Sequence, residues 1–192
     1  MVGKVIPIAI VIVAVSVASI GYLLARGGPS GPIVVEYKTY TNENYSIKFD
    51  YPANWYYQEF SSSGAASFGA FDNTRSEGTI VLEVYDNNVA ENLFGVPLDN
   101  VISYILSLEN RWYENYQNYK VIKKPTKIAI GNLYGVSWSA TRTSGNIVLR
   151  FQIEVFVKDN HLYEFVVGCL TQYYSNYERI FENAIDSFSF LD

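Results

Sequence analysis

The chain has 192 residues, with 14 Lys and Arg against 19 Asp and Glu for a net charge of −5, and it contains 17 tyrosines but one cysteine and one histidine. An acidic balance without a basic run argues against a nucleic-acid-binding surface and against a polybasic lipid-binding face. The lone cysteine, Cys169, excludes an internal disulfide, and the lone histidine, His161, removes most of the ligand sets and triads used by zinc sites and hydrolases.

From Val5 to Ala25 the sequence VIPIAIVIVAVSVASIGYLLA carries no charge. At about 1.5 Å per residue, that length spans a hydrocarbon core of about 30 Å. Residues 1–26 are therefore expected to form a transmembrane anchor. A cleaved signal peptide would have a shorter apolar region of about 7 to 15 residues, although the small residues near Ala18 leave cleavage open. Pro7 falls in the first turn, where its missing N–H costs nothing. Lys4 precedes the segment and Arg26 follows it, so the expected topology is single-pass in the cell membrane. The N-terminus would be cytoplasmic and the remainder extracytoplasmic. The Gly/Pro/Ser-rich residues 27–33 read as a linker, and residues 34–192 as one soluble domain of ordinary size.

The domain opens on YSIKFDYPANW. Tyr45, Ile47, Phe49 and Tyr51 alternate with Ser46, Lys48 and Asp50, which predicts a half-buried strand that Pro52 ends by withholding an N–H. EYKTY before it is the expected hairpin partner, turning through Asn42, Glu43 and Asn44. ASFGAFD and TIVLEVY are two further short strands, separated by a polar loop containing Arg75 and Glu77. Behind Pro97 the spacing becomes helical. Leu98, Val101, Ile102, Ile105, Leu108, Trp112 and Tyr116 form one stripe with a cap expected at Asp99.

LYGVSWSATR, NIVLRFQIEVFVK and LYEFVVGC then alternate with period two and predict antiparallel strands. A turn at Ser144-Gly145 would set Trp138 opposite Phe151 and Ala140 opposite Leu149, with Ser137 and Ser139 facing Gln152 and Arg150 on a polar face. Keeping apolar faces together in the next hairpin requires Asp159, Asn160 and His161 all to lie in the turn. Phe151 is then opposite Cys169. A final helix follows, with Ser175 and Glu178 at capping-box spacing and Tyr177, Ile180, Phe181, Ala184, Ile185 and Phe188 buried. The expected class is α+β, an antiparallel sheet with two amphipathic helices, arranged as an α/β/α sandwich or as a two-layer variant.

Little in the chain looks like chemistry. Cys169 reads as a small core hydrophobe. No His/Cys cluster, calcium-loop spacing or glycine-rich phosphate loop is present, so no metal, cofactor or catalytic residue is assigned. Asp50, Asp72 and Asp86 sit at predicted strand ends and read as solvated turn residues rather than a convergent acid pair. Arg142 and Arg150 are expected to form cross-strand ion pairs near Glu154. Trp55, Tyr56 and Tyr57 form a candidate interaction surface, and Asn44 begins a glycosylation sequon in a turn.

The stretch YSIKFDYPANWYYQEF resembles the opening of PsbP-like domains. The resemblance continues through Pro97-Leu98-Asp99, Ile130-Gly131-Asn132-Leu133-Tyr134, Leu162-Tyr163 and Asp186-Ser187-Phe188. It covers nearly the whole domain and implies a PsbP-like α/β/α sandwich and a non-catalytic habit. Without a transit peptide, the resemblance points to a prokaryotic membrane-anchored relative, with an archaeal source in view. The expected function is a non-enzymatic extracytoplasmic accessory module. Its partners would be the bilayer, through the N-terminal helix, and a membrane-protein complex, with oligomeric state unspecified. The alternatives are an enzyme with an unrecognised carboxylate site and a structural surface protein.

Overall fold

The computed structural model describes residues 35–72, 78–108 and 118–191. The expected anchor and linker, the Arg75/Glu77 loop and the expected helical positions Trp112 and Tyr116 lie outside the described residues. The strands are β1 (Tyr37–Asn42), β2 (Ile47–Pro52), β3 (Tyr56–Ser62), β4 (Ala65–Phe71), β5 (Gly78–Asp86), β6 (Tyr119–Ile130), β7 (Leu133–Ser144), β8 (Ile147–Lys158), β9 (His161–Leu170) and β10 (Ser189–Phe190). The helices are α1 (Asn87–Phe94), α2 (Val101–Leu108) and α3 (Tyr174–Ser187).

A seven-stranded antiparallel sheet runs in the order β3-β4-β5-β9-β8-β7-β6, and a small sheet in the order β1-β2-β10. One face of the large sheet is covered by α3 and the small sheet, through Ile47, Phe49, Phe165, Tyr177, Phe181 and their neighbours. The other face is covered by α1 and α2, through Phe94, Leu98, Val101 and Ile105 against Val136, Trp138 and Phe151. Three layers result, an α/β/α sandwich with two hydrophobic cores.

The opening strand begins later than expected, at Ile47, because Tyr45 and Ser46 lie in the β1–β2 turn with Ser46 at φ of 51°. β2 pairs antiparallel with β1, buries Ile47 and Phe49 completely, and ends at Pro52. The capping-box reading of α3 is corrected. Ser175 lies within the helix, Tyr173 is the N-cap, and no side chain caps that end. Asp99 sits in a short 3-10 turn leading into α2 rather than at a helix cap.

Both hairpin registers are also corrected. The β7–β8 turn is Gly145-Asn146, so Trp138 faces Ile153 and Ala140 faces Phe151. Gly145 adopts φ of 59°, the left-handed value that the first position of this turn requires and that glycine supplies without a Cβ penalty. The two-residue shift leaves the faces unchanged. The β8–β9 turn is Asp159-Asn160, both with positive φ as in a type I′ turn, and His161 begins β9. That one-residue slip moves Tyr163, Phe165, Val167 and Cys169 to the α3 side. It is tolerated because both faces of this central strand are covered, so β9 has no polar face to preserve.

Among the described residues the domain has three α-helices where two were expected. α1 begins directly after Asp86, and the Gly95 N–H bonds to the Glu91 carbonyl at 2.8 Å with Gly95 at φ of 67°.

Candidate functional site

The strand-end acids do not converge. The Asp72 N–H bonds the Gly78 carbonyl at one end of β5 while Asp86 ends the strand, and nine residues of strand separate those ends by about 26 Å. Each acid has its own partner. Asp50 accepts from Thr39 Oγ1 at 2.6 Å, buried Asp72 accepts from the Tyr177 hydroxyl at 2.6 Å, and Asp86 lies 3.4 Å from His161 Nε2. His161 is further fixed by an edge-on contact with Tyr45 and by Nδ1 at 2.8 Å from the Asp159 carbonyl. Cys169 is buried. Among the described residues, no group of three or more His, Cys, Asp or Glu side chains is placed to hold a metal ion.

The structure brings together a different pair of carboxyls. Glu83 on β5 and Glu164 on β9 are direct cross-strand partners, 5% and 3% exposed. Burial pushes Glu83 up to about 7, against the pull of the Tyr85 hydroxyl that bonds it at 2.5 Å. Burial, and then the Glu83 carboxylate, hold Glu164 well above the usual range. Sequence reading missed this pair, because glutamates in a strand read as the solvated face of a two-layer sheet. Both side chains lie within the core.

The expected Arg142–Arg150–Glu154 ion pairs are not formed. Arg142 lies on the α2 side near the Tyr119 ring, whereas Arg150 lies on the α3 side with its guanidinium carbon 3.6 Å from the Tyr174 ring centre. Arg142 therefore lies on the opposite face from Glu154, whereas Arg150 shares Glu154's face but stands four residues along the same strand, about 13 Å away.

The Trp55, Tyr56 and Tyr57 cluster divides by face. Trp55 is 7% exposed and packs edge-on to Tyr177 at 6.0 Å, over Gly78, where a Cβ would lie 2.7 Å from the indole. It is a core residue. Tyr57 is half-buried against Tyr40 and Tyr51 and donates to Glu59 at 2.6 Å. Tyr56 is 52% exposed, and Phe60, four residues along the same face of β3, is 51% exposed. Between them on that face, the Phe71 ring lies over Gly69, where a Cβ would be 2.5 Å from Cζ.

β3 is an edge strand of the large sheet, and among the described residues its outer side has no partner. Its sequence YYQEFSS has no proline, no lysine and one charge. The opposite edge, β6, carries Lys120, Lys123, Lys124, Pro125 and Lys127 and two register irregularities. Those devices are the ones that prevent edge-to-edge pairing, and β3 lacks them. Asn44 is exposed in the β1–β2 turn.

No protein-family model matches this sequence, and no curated protein matches it by sequence. Among solved structures, the chain is similar to cyanobacterial PsbP (CyanoP) from Synechocystis sp. PCC 6803, with a TM-score of 0.56 and 13% identity over 85% of this chain and 98% of that one. It is also similar to LpqN, involved in cell envelope biogenesis of Mycobacterium tuberculosis, with a TM-score of 0.53 and 9% identity over 86% of this chain and 100% of that one. The chain therefore has a PsbP-like fold.

Proposed function

We propose that this protein is a non-catalytic accessory module, anchored by residues 1–26 with its domain outside the membrane, that docks onto a membrane-protein complex through the β3 edge. The observation that carries this reading is the contrast between the two edges of one sheet. A strand with an open ladder and exposed Tyr56 and Phe60 supplies main-chain hydrogen bonds and two apolar anchors to an incoming strand. The two fold relatives lend support, since one is a PsbP protein and the other is described as involved in cell envelope biogenesis. The burial of the Glu83–Glu164 pair weighs against the carboxylate-enzyme alternative.

Confinement to a membrane lets weak docking suffice, because it raises the effective concentration of both partners. Full-length protein should co-purify with an integral-membrane assembly from gently solubilised native membranes. Gln58→Pro in β3, which removes one outward or inward N–H and stiffens the edge, should abolish that association. Retention of the same assembly by a folded Gln58→Pro protein would defeat the edge-docking reading.

A further inference from the structure

We propose that a small cleft beside α3, centred on Arg150, binds a carboxylate group. This inference is independent of docking at β3. Arg150 projects from β8 on the α3 side, in register with Thr141 on one flank and Cys169 on the other. Its guanidinium lies over the Tyr174 ring at 3.6 Å. Stacking occupies the flat face of the group and leaves its in-plane N–H donors for a ligand. Arg150 makes no hydrogen bond or ion pair with any described side chain, and its Nε is buried without a partner. A buried charged donor left unmade is costly, which is the condition that a bound anion relieves.

The space beside it is about 80 Å³, walled by Lys123, Ser139 and Gln152 from the sheet and by Glu178 and Glu182 from the helix. Three features narrow the ligand. The planar fork of an arginine matches the two oxygens of a carboxylate, and its stacked geometry fixes the plane in advance. Ser139 and Gln152 add neutral hydrogen-bonding groups, and Lys123 a second cation. Glu178 and Glu182 at the helix wall oppose a doubly charged anion, so a singly charged carboxylate of few atoms fits where a phosphate dianion does not. That carboxylate is either a free small acid or the carboxyl terminus of a peptide, and the two sources share the same chemistry.

The test uses the full-length protein in detergent, titrated with acetate, with a short peptide bearing a free C-terminus, with the same peptide amidated, and with inorganic phosphate. Binding is followed by chemical shifts of the Gln152 side-chain amide and by thermal unfolding. Saturable binding of acetate alone identifies a free acid as the ligand. Binding of the free but not the amidated peptide identifies a chain terminus. In either case Arg150→Lys, which keeps the charge and loses the fork, should bind at least about tenfold more weakly. Should that variant fail to fold, Lys123→Ala should weaken the same titration while leaving the Arg150–Tyr174 stack in place. No saturable shift with acetate or free peptide, equal binding by a folded Arg150→Lys, or tighter binding of phosphate than of acetate would overturn the proposal.

Discussion

Glu83 and Glu164 face each other across the β5–β9 ladder inside the core, and the Glu164 Oε2 atom has no hydrogen-bond partner. Their neighbours on that face are the Tyr85 hydroxyl, which bonds Glu83, and the apolar Val155, Leu162 and Val166. Two adjacent buried carboxylates cannot both ionise cheaply, so the folded protein retains protons that the unfolded chain releases.

The consequence is a stability that declines with rising pH. A carboxyl whose folded pKa is raised binds more protons in the native state than in the unfolded one, so unfolding free energy falls as pH rises above the ordinary value. For Glu83 the window runs from 4.5 to about 7. The loss has a limiting slope of about 1.4 kcal/mol per pH unit for each group. Glu164→Gln should flatten that slope and raise stability at pH 8 relative to the parent, as measured by urea unfolding at several pH values. A parent protein that gains stability between pH 5 and 8, or a variant with an unchanged slope, would show that the pair is not protonated as described.

Tyr177 links α3 to the β4–β5 connection through Asp72. Tyr177→Phe keeps the ring packed over Gly78 and against Trp55 and Phe181, and removes the hydroxyl. Since the carboxylate it leaves behind is buried, the variant should lose about 1 to 3 kcal/mol in chemical denaturation. A change near zero would mean that water replaces the hydroxyl at no cost.

Trp138 packs beneath α1 and α2 beside Phe151 and Ile153, and its Nε1 makes no hydrogen bond. Trp138→Ala should cost about 3 to 5 kcal/mol. Trp138→Phe should cost far less, because volume is largely retained and no hydrogen bond is lost. Equal penalties for the two variants would indicate an interaction of the indole N–H absent from this packing.

Periodicity made the central strands and the α2 and α3 stripes legible, because β7, β8 and both helices bury one side more fully than the other. β9 defeated the same rule, since Leu162 and Val166 serve one core while Phe165 and Val167 serve the other. The edges were harder. Alternation is a record of one-sided burial, and β3 and β6 bury too little on either side to carry it. Helix α1 had a usable signal, Asp86 before it and Gly95 after it, but eight residues with few apolar side chains were too short to stand out. Of the aromatic cluster, sequence could mark Trp55, Tyr56 and Tyr57 together but could not separate them. That division depends on Trp55 preceding β3 and turning into the core, while Tyr56 starts the exposed face.

The central claim, docking through the β3 edge, is tested most directly by a photo-crosslinking side chain placed at Phe60 in the full-length protein in its native membrane. A control probe at Ile122 marks the opposite, lysine-protected edge, where the native side chain is also exposed. The account predicts a discrete crosslink from position 60 to an integral-membrane protein and none from position 122. Crosslinking from position 122 with none from position 60, or crosslinks from position 60 only between copies of this chain, would contradict it.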